Sequence, residues 1–342
     1  MEQNAEILRK AISGSLEIIE QEREKEIITR RFGLTGRRET LEQIGETLSI
    51  TRERVRQLEK AILIRLRIAA EEGEIAEIAP AEKLLVRNLT EMGRVARLSD
   101  IADKVYGRTA TPSERMEIYF IATYAKNLMT VEENDRYYPS IGIAEYGDSA
   151  QVKERVDKIV DIIKKNKQPM TVEELDAKLD YEHPDHITAT ASLSKLLATL
   201  NGVWGLVKWP TVNPKNIRDK IYVILEAKKE PMHFSEIAKA IRESNFKRKN
   251  VTVQAIHNEL IKDSRFVLIG RGIYALDSWG YRKGTISDII KTIMTNASGP
   301  MTREEIVKQV LKLRKVKETT ILLNLQNKNN FKKVDKNSYT LA

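Results

Sequence analysis

A short sequence recurs along this chain and constrains its architecture more than any other feature. It consists of Pro-Met followed four residues later by Glu and then an apolar residue, and it occurs as QPMTVEEL (168–175), EPMHFSEI (230–237) and GPMTREEI (299–306). The three prolines lie 62 and 69 residues apart. A weaker copy is VARLSDI (95–101). Repeats at this spacing predict a row of small domains, each built from one copy.

The same helical and strand patterns occur in the same order around each copy. An amphipathic helix is expected before it, a second helix directly after it, and then a third helix and an alternating two-stranded ribbon. Three helices and a ribbon are the plan of a winged helix. The first helices are expected at 156–165, 217–227 and 286–295, the third helices at 188–200, 251–262 and 317–327, and the ribbons at 203–209, 265–276 and 331–341.

The domains expected from these patterns are 82–147, 152–210, 214–280 and 284–342. The first is the most divergent, and its wing is expected around Arg136, Tyr137 and Tyr138. The acidic segment EEGEIAEIAPAE, which includes 71–81, is expected to be a linker. Winged helices bind proteins as well as nucleic acids, so the repeats alone leave both roles open.

Residues 40–67, TLEQIGETLSITRERVRQLEKAILIRLR, have a different pattern. Their apolar residues recur at helical spacing and predict two helices, 40–48 and 51–67, joined by a turn at Ser49-Ile50. Gly45 is expected to let the helices cross closely, and Thr51 is a favourable N-cap for the second helix. This is a helix-turn-helix, and it makes residues 1–70 a further domain.

The first two turns of the second helix present side chains that can read bases. Arg52 and Arg56 can bind guanine, Gln57 can bind adenine, and Glu53 can accept a hydrogen bond from cytosine. A recognition helix meets the major groove with its N-terminal turns, where these residues lie. The alternative is an ordinary amphipathic helix whose charges face water.

Two segments here resemble a known family. REKEIITRRFGL (23–34) and TLEQIGETLSITRERVRQLE (40–59) resemble region 4 of bacterial primary sigma factors. The resemblance implies binding to the −35 promoter element and docking on the β flap of RNA polymerase. It implies that the base readers are Arg52, Glu53, Arg56 and Gln57, with Arg54 and Lys60 also at the DNA. Ile64 departs from the family, which usually has a basic residue there.

The third repeat carries a second resemblance. PMHFSEIAKAI (231–241) and VTVQAIHNELIKDSRFVLIGRGIYAL (251–276) resemble the HARE-HTH winged helix. This module occurs in the δ subunit of Gram-positive RNA polymerases, in chromatin proteins and beside some restriction enzymes. Both resemblances imply a role in transcription.

The charge distribution suggests where a polyanion would bind. The net charge is −2 for residues 1–80, −2 for 81–150, 0 for 151–210 and +13 for 211–342. An excess of positive charge in one part of the chain is expected of a nucleic-acid-binding surface, although a basic face that only contacts water would have the same charge. The expected contacts in the third repeat are Lys247, Arg248, Lys249, Gln254, His257, Asn258 and Arg271, and those in the fourth are Lys312, Arg314, Lys315 and Lys317.

Other classes of function find little support in the sequence. There is no cysteine, which excludes disulfides and thiol catalysis, and no apolar run is long enough to span a bilayer. His183 and His186 lack further ligands, and no nucleotide-binding or hydrolase motif is present. We therefore expect a cytoplasmic, nucleoid-associated protein that is not an enzyme and has no cofactor, metal or small-molecule ligand.

The sequence thus predicts a mainly α chain with small β wings, built from a helix-turn-helix and three to four winged helices. The favoured hypothesis is a monomeric transcription factor that binds promoter-like double-stranded DNA and RNA polymerase. Only about 20 residues precede the sigma-like segment, so the region that reads and melts the −10 element is not expected. The alternatives are a polymerase-associated protein without its own DNA target and an accessory subunit of a DNA-modifying system.

Overall fold

The computed structural model describes residues 2–179, 183–281, 284–297, 299–314, 316–335 and 337–342. It confirms the expected fold class, since these residues are mainly helical and form four small antiparallel sheets. The chain divides into two compact parts, 1–208 and 209–342.

The first part begins with four helices, which form the helix-turn-helix domain. The third and fourth start at favourable caps, because the hydroxyls of Thr40 and Thr51 accept hydrogen bonds from backbone N–H groups of the first helical turn. The third ends at Ser49, whose φ of 54° lies in the left-handed region. The helices are α1 (Glu2–Glu17), α2 (Glu22–Phe32), α3 (Leu41–Leu48) and α4 (Arg52–Glu72).

The first winged-helix domain follows without the expected linker. Segment 71–81 contains the end of α4, a turn at Gly73 and the start of the next helix, and its Ile75, Ile78 and Ala81 are buried in the core. The acidic residues of this segment favoured a linker, but its apolar residues pack into the core. The elements are α5 (Ile78–Glu91), β1 (Val95–Arg97), α6 (Leu98–Tyr106), α7 (Pro112–Tyr124), β2 (Leu128–Val131) and β3 (Ser140–Ile143).

The second winged-helix domain differs from the prediction in its third helix, which ends at Ser192 and not at residue 200. The last residues of the predicted helix form a strand that pairs with the next one across a two-residue turn at Asn201-Gly202, where both φ angles are positive. Asn-Gly is a characteristic hairpin turn, so a sequence signal for it was present. The elements are α8 (Ser149–Asn166), β4 (Met170–Thr171), α9 (Val172–Asp176), α10 (Pro184–Ser192), β5 (Leu197–Leu200) and β6 (Val203–Leu206).

The second compact part contains the third and fourth winged-helix domains, whose elements lie close to the predicted ones. The third has α11 (Ile217–Lys228), β7 (Met232–His233), α12 (Phe234–Glu243), α13 (Val253–Lys262), β8 (Phe266–Gly270) and β9 (Ile273–Leu276). The fourth has α14 (Ile286–Thr295), β10 (Met301–Thr302), α15 (Arg303–Leu313), α16 (Glu318–Leu325), β11 (Phe331–Lys333) and β12 (Ser338–Leu341).

All four sheets share one topology. In each, the last strand lies in the middle and pairs antiparallel with the short first strand and with the second strand, as in the order β1-β3-β2. The recurring Pro-Met segment supplies the short edge strand of the last three sheets, and its methionine is buried in each. The repeat in the sequence is therefore a repeat of one structural unit.

Candidate nucleic-acid interface

The helix-turn-helix is organised around a small apolar core. Ile27 of α2, Ile44 of α3 and Val55 of α4 are fully buried against one another. The side chain of Arg23 also donates a hydrogen bond to the carbonyl of Leu48 at the end of α3. These contacts fix the two helices and the turn between them.

Gly45, inside α3, faces the backbone of the turn that follows the helix. A Cβ atom at this position would be 2.7 Å from the carbonyl oxygen of Ile50 and 3.4 Å from the backbone nitrogen of Arg52. The close approach is to the turn backbone, which cannot move without displacing the start of α4. Glycine is therefore required for the tight turn that places α4.

The first turns of α4 project into solvent. Val55 faces the core, while all the residues expected to contact DNA on this helix are exposed: Arg52, Glu53, Arg54, Arg56, Gln57 and Lys60. The helix places them on its outer side because the buried positions Val55, Ile62 and Leu66 recur at helical spacing on the other.

Glu53 and Arg56 are joined by two hydrogen bonds. The Arg56 guanidinium donates from Nε to one carboxylate oxygen over 2.8 Å and from Nη2 to the other over 2.7 Å. The hydrogen bond from Arg56 lowers the pKa of Glu53. Two longer contacts join Gln57 to Glu53 at 3.5 Å and Arg54 to Gln57 at 3.4 Å. These hydrogen bonds join four side chains into one connected group, the exposed group on α4: Glu53, Arg54, Arg56 and Gln57.

The opposite side of the helix-turn-helix is covered by the first winged-helix domain. The Phe32 ring lies 4.9 Å from the ring of Phe120 in α7, measured between centroids, and Ile62 and Leu66 of α4 belong to the same core. α1 packs against α5, α6 and α7. This core buries the back of the domain and leaves the exposed group on α4 open.

In the first two winged-helix domains, the third helix packs against protein. α7 packs against α1, α2 and α4, and α10 of the second domain packs against β1 of the first. In a DNA-binding winged helix, the third helix is the one that enters the major groove. Neither α7 nor α10 is therefore available as a free recognition helix.

The predicted wing of the first domain, 136–138, lies in the loop between β2 and β3 and is bound to the second domain. The backbone N–H of Tyr138 donates to the carbonyl of Leu193 over 2.9 Å, and that of Lys195 donates to the carbonyl of Arg136 over 2.8 Å. The guanidinium of Arg97 lies 4.1 Å from the centroid of the Tyr138 ring. This wing joins two domains of the same chain.

The third winged-helix domain leaves most of its expected contact residues accessible. Lys247, Arg248 and Lys249 are exposed in the loop before α13, and Arg271 is exposed at the turn between β8 and β9. Gln254 and Asn258 are exposed on α13, where the Gln254 amide donates to Asn258 over 3.1 Å.

His257 differs from these neighbours because its ring is half-buried. It packs edge-on against Phe234 and against Tyr274, with ring centroids 5.1 and 6.2 Å apart. Only the remaining edge of the ring is therefore accessible to solvent.

In the fourth domain, the structure contradicts one expected contact. Lys312 and Lys317 are exposed, but Arg314 is 8% exposed, and its guanidinium donates to the carbonyls of Leu268 and Gly284. Arg314 ends α15 and turns back into the protein, which the basic composition of the loop did not reveal. Lys315 lies outside the described residues.

His183 and His186 both contribute to the packing and capping of α10. His183 accepts a hydrogen bond from the backbone of Asp185 at the start of α10, and His186 is buried with its ring against that of Tyr146. Across the described ranges, no group of three or more metal-ligating residues occurs. Within the same ranges, every helix is too short or too polar to span a bilayer.

Two family models match separate parts of this chain. Residues 21–67 match sigma-70, region 4, and residues 217–279 match HARE-HTH, a helix-turn-helix domain described for ASXL and restriction endonuclease proteins. Both resemblances seen in the sequence are thereby confirmed. The first match contains the whole exposed group on α4, and the second contains the basic loop 247–249 and α13.

Several curated proteins are similar over the sigma-like segment. RNA polymerase sigma factor SigA1 of Synechococcus elongatus is 42% identical over 62 residues, which are 18% of this chain and 15% of that protein. Sigma factor SigA of a Bacillus species is 41% identical over 63 residues, 18% of this chain and 16% of the relative. Sigma factor RpoD of Helicobacter pylori is 44% identical over 66 residues, which are 18% of this chain and 10% of that protein. The matched segment is thus a small fraction of each relative's length.

Proposed function

We propose that this chain is a sigma-factor-related transcription factor that reads a −35-like promoter element through the first turns of α4 and also binds RNA polymerase. The observation that carries the proposal is the exposure of Arg52, Glu53, Arg56 and Gln57 on one side of α4. The opposite side of the same helix is buried, against α2 and α3 at Val55 and in the core shared with the first winged-helix domain at Ile62 and Leu66. The relatives that are similar over this segment are RNA polymerase sigma factors.

In this proposal, the first compact part reads the bases and the second contacts the phosphates. Residues 1–208 present one reading helix, because α7 and α10 are packed against protein. Residues 211–342 carry a net charge of +13 and supply contacts to phosphates through the exposed residues of the third and fourth domains. Phosphate contacts hold a protein on the duplex, and contacts to base edges select the sequence.

The test measures base selection by Arg56. The full chain is used to select duplexes from a randomised pool, and Arg56→Ala is then compared with the native chain on a selected and on a random duplex. We expect a loss of about 1–3 kcal/mol at the selected site, with a relaxed base preference at one position. Arg67→Ala is the control, because Arg67 is exposed on the same helix but pairs with Glu71, well beyond Gln57.

Equal losses on the selected and the random duplex would remove Arg56 from the base readers. A chain that selects no sequence but binds RNA polymerase core would favour the second candidate, a polymerase-associated protein without its own DNA target. The similarity of residues 21–67 to a region of polymerase sigma factors supports that candidate too.

A further inference from the structure

A lysine occupies a core position in the third winged-helix domain. Lys220 of α11 is 3% exposed. The first helix of the fourth domain has a closely similar start, with ISDII (286–290) in place of IRDKI (217–221). The residue that corresponds to Lys220 there is Ile289, which is 1% exposed. The fold therefore accepts an apolar residue at this place.

Burial of this lysine is not explained by an ion pair. The neighbouring carboxylate of Asp219 faces Arg265 at 3.3 Å, and within the described part of the chain no carboxylate lies within ion-pair distance of Lys220. Burial lowers the pKa of the Lys220 ammonium, and repulsion from the guanidinium of Arg248 lowers it further by a smaller amount. A buried cation without a counter-charge costs stability that an isoleucine would not. Some other role must account for the lysine.

The ammonium of Lys220 holds the basic loop. Its Nζ donates a hydrogen bond to the backbone carbonyl of Arg248 over 2.8 Å. Arg248 has a φ of 53°, a left-handed conformation that is unfavourable for a residue with a side chain. On the N-terminal side of the loop, Phe246 is buried. The side chains of Lys247, Arg248 and Lys249, beside these two anchors, are all exposed.

We propose that Lys220 is a positioning residue, which fixes loop 247–249 in the conformation that presents its three cations together to the phosphates of a nucleic acid. This rests on the proposed function, because it assumes that the loop contacts DNA. Without the hydrogen bond, the loop would sample several conformations, and each DNA contact would require it to be ordered first. The domain keeps a destabilising lysine because the order of its binding loop depends on it.

The experiment replaces the lysine with the residue that the fourth domain uses. Lys220→Ile is expected to fold with an unchanged or higher melting temperature. Its affinity for a random-sequence duplex should fall, and the slope of log affinity against log salt should decrease in magnitude by about 0.9 for each phosphate that the loop no longer neutralises. Hydrogen exchange of the backbone amides at 247–251 should become faster.

Lys158→Ile is the matched control. Residues 157–159 repeat the sequence Asp-Lys-Ile of 219–221, but Lys158 is exposed and pairs with Glu154 at 2.9 Å. Its replacement should change neither the salt slope nor the exchange of 247–251. The conservative variant Lys220→Arg, which keeps a donor, should restore part of the affinity.

The outcomes separate this inference from the proposed function. Native exchange at 247–251 and a native salt slope in Lys220→Ile would overturn the positioning role, and so would a variant that fails to fold. The triple variant Lys247→Ala, Arg248→Ala, Lys249→Ala tests the loop itself. If it binds DNA as the native chain does, the loop is no DNA contact and there is nothing for Lys220 to position. Faster exchange in Lys220→Ile would then show that the Lys220 hydrogen bond orders the loop, and that the assumption of a DNA contact by the loop is wrong.

Discussion

The hydroxyl oxygens of Ser15 and Tyr124 lie 2.6 Å apart in a buried hydrogen bond that joins α1 to the third helix of the first winged-helix domain. Ser15 donates its own proton to the carbonyl of Ala11, so the tyrosine donates in this pair. The Phe120 ring packs 5.1 Å from the Tyr124 ring, measured between centroids, and continues the same contact to Phe32. The helix-turn-helix and the first winged helix are thus one folded body.

Tyr124→Phe tests this connection. It removes one buried donor and leaves the ring in place, so we expect a loss of about 1 kcal/mol in the free energy of unfolding. The measurement is the urea midpoint of the full chain, with Tyr222→Phe in the third winged-helix domain as the control. DNA affinity should not change, because the exposed group on α4 lies on the other side of the domain. An unchanged midpoint would mean that the hydrogen bond contributes nothing to the joint core.

Gly45→Ala should destabilise the helix-turn-helix. In most helices this change stabilises by about 1 kcal/mol, but here the new Cβ meets the Ile50 carbonyl at 2.7 Å, and the strain should cost about 1–3 kcal/mol. Gly14→Ala in α1 is a matched control, because the nearest atoms to its Cβ include the flexible carboxylate of Glu77 and no backbone. Melting temperatures that move in opposite directions are the expected result, and a stabilising Gly45→Ala would contradict the close approach.

Glu53→Gln should separate affinity from specificity. It removes a negative charge from the surface that would face DNA, so binding to a random duplex should become tighter. The amide keeps one acceptor oxygen but replaces the other carboxylate oxygen with a donor, so it loses the bidentate contact that orients Arg56 and is a weaker acceptor for cytosine; the ratio of specific to random affinity should therefore fall. Fluorescence anisotropy on both duplexes measures these two changes. If the ratio rises, Glu53 is not a base reader.

The Arg108–Glu114 pair should make the first compact part sensitive to acid. The hydrogen bond from Arg108 lowers the pKa of Glu114 to about 2, and the backbone N–H of Thr111 contributes as well. Because the folded-state pKa lies below the usual value of 4.5, the stabilisation is complete above about pH 4.5 and is lost as the pH falls toward 2.

The corresponding variant is Glu114→Gln. At neutral pH it should be less stable than the native chain by on the order of 2 kcal/mol, and the difference should shrink as the pH falls from about 4.5 to about 2. Urea midpoints at several pH values measure this. A difference that stays constant across that range would show that the carboxylate charge is not what stabilises the helix start.

Local sequence predicted most elements of each unit of the fold, although it missed the hairpin strand at Leu197–Leu200 and took segment 71–81 for a linker. The Thr51 cap, the turn at Ser49 and the period of the buried residues predicted α3 and α4 within a few residues, because each depends on side chains close by in the chain. The repeated Pro-Met segment predicted the winged helices for the same reason. The spacing of the buried residues also predicted which residues of α4 face solvent.

The relations between units were not predictable. The net charge separated the last two repeats from the first two, but no local pattern showed that α7 and α10 are packed against protein while Gln254 and Asn258 of α13 are exposed. In the same way, a count of basic residues could not separate the buried Arg314 from the exposed Lys312.

The two Asp-Lys-Ile segments show where sequence and tertiary structure divide. Their sequence determined that both would be helical, and both are. Only the tertiary structure decided that Lys158 reaches solvent and Glu154, while Lys220 is enclosed and meets the carbonyl of Arg248. The reason is physical: helical propensity and period act between neighbours in the chain, whereas the burial of a side chain depends on which distant backbone folds over it.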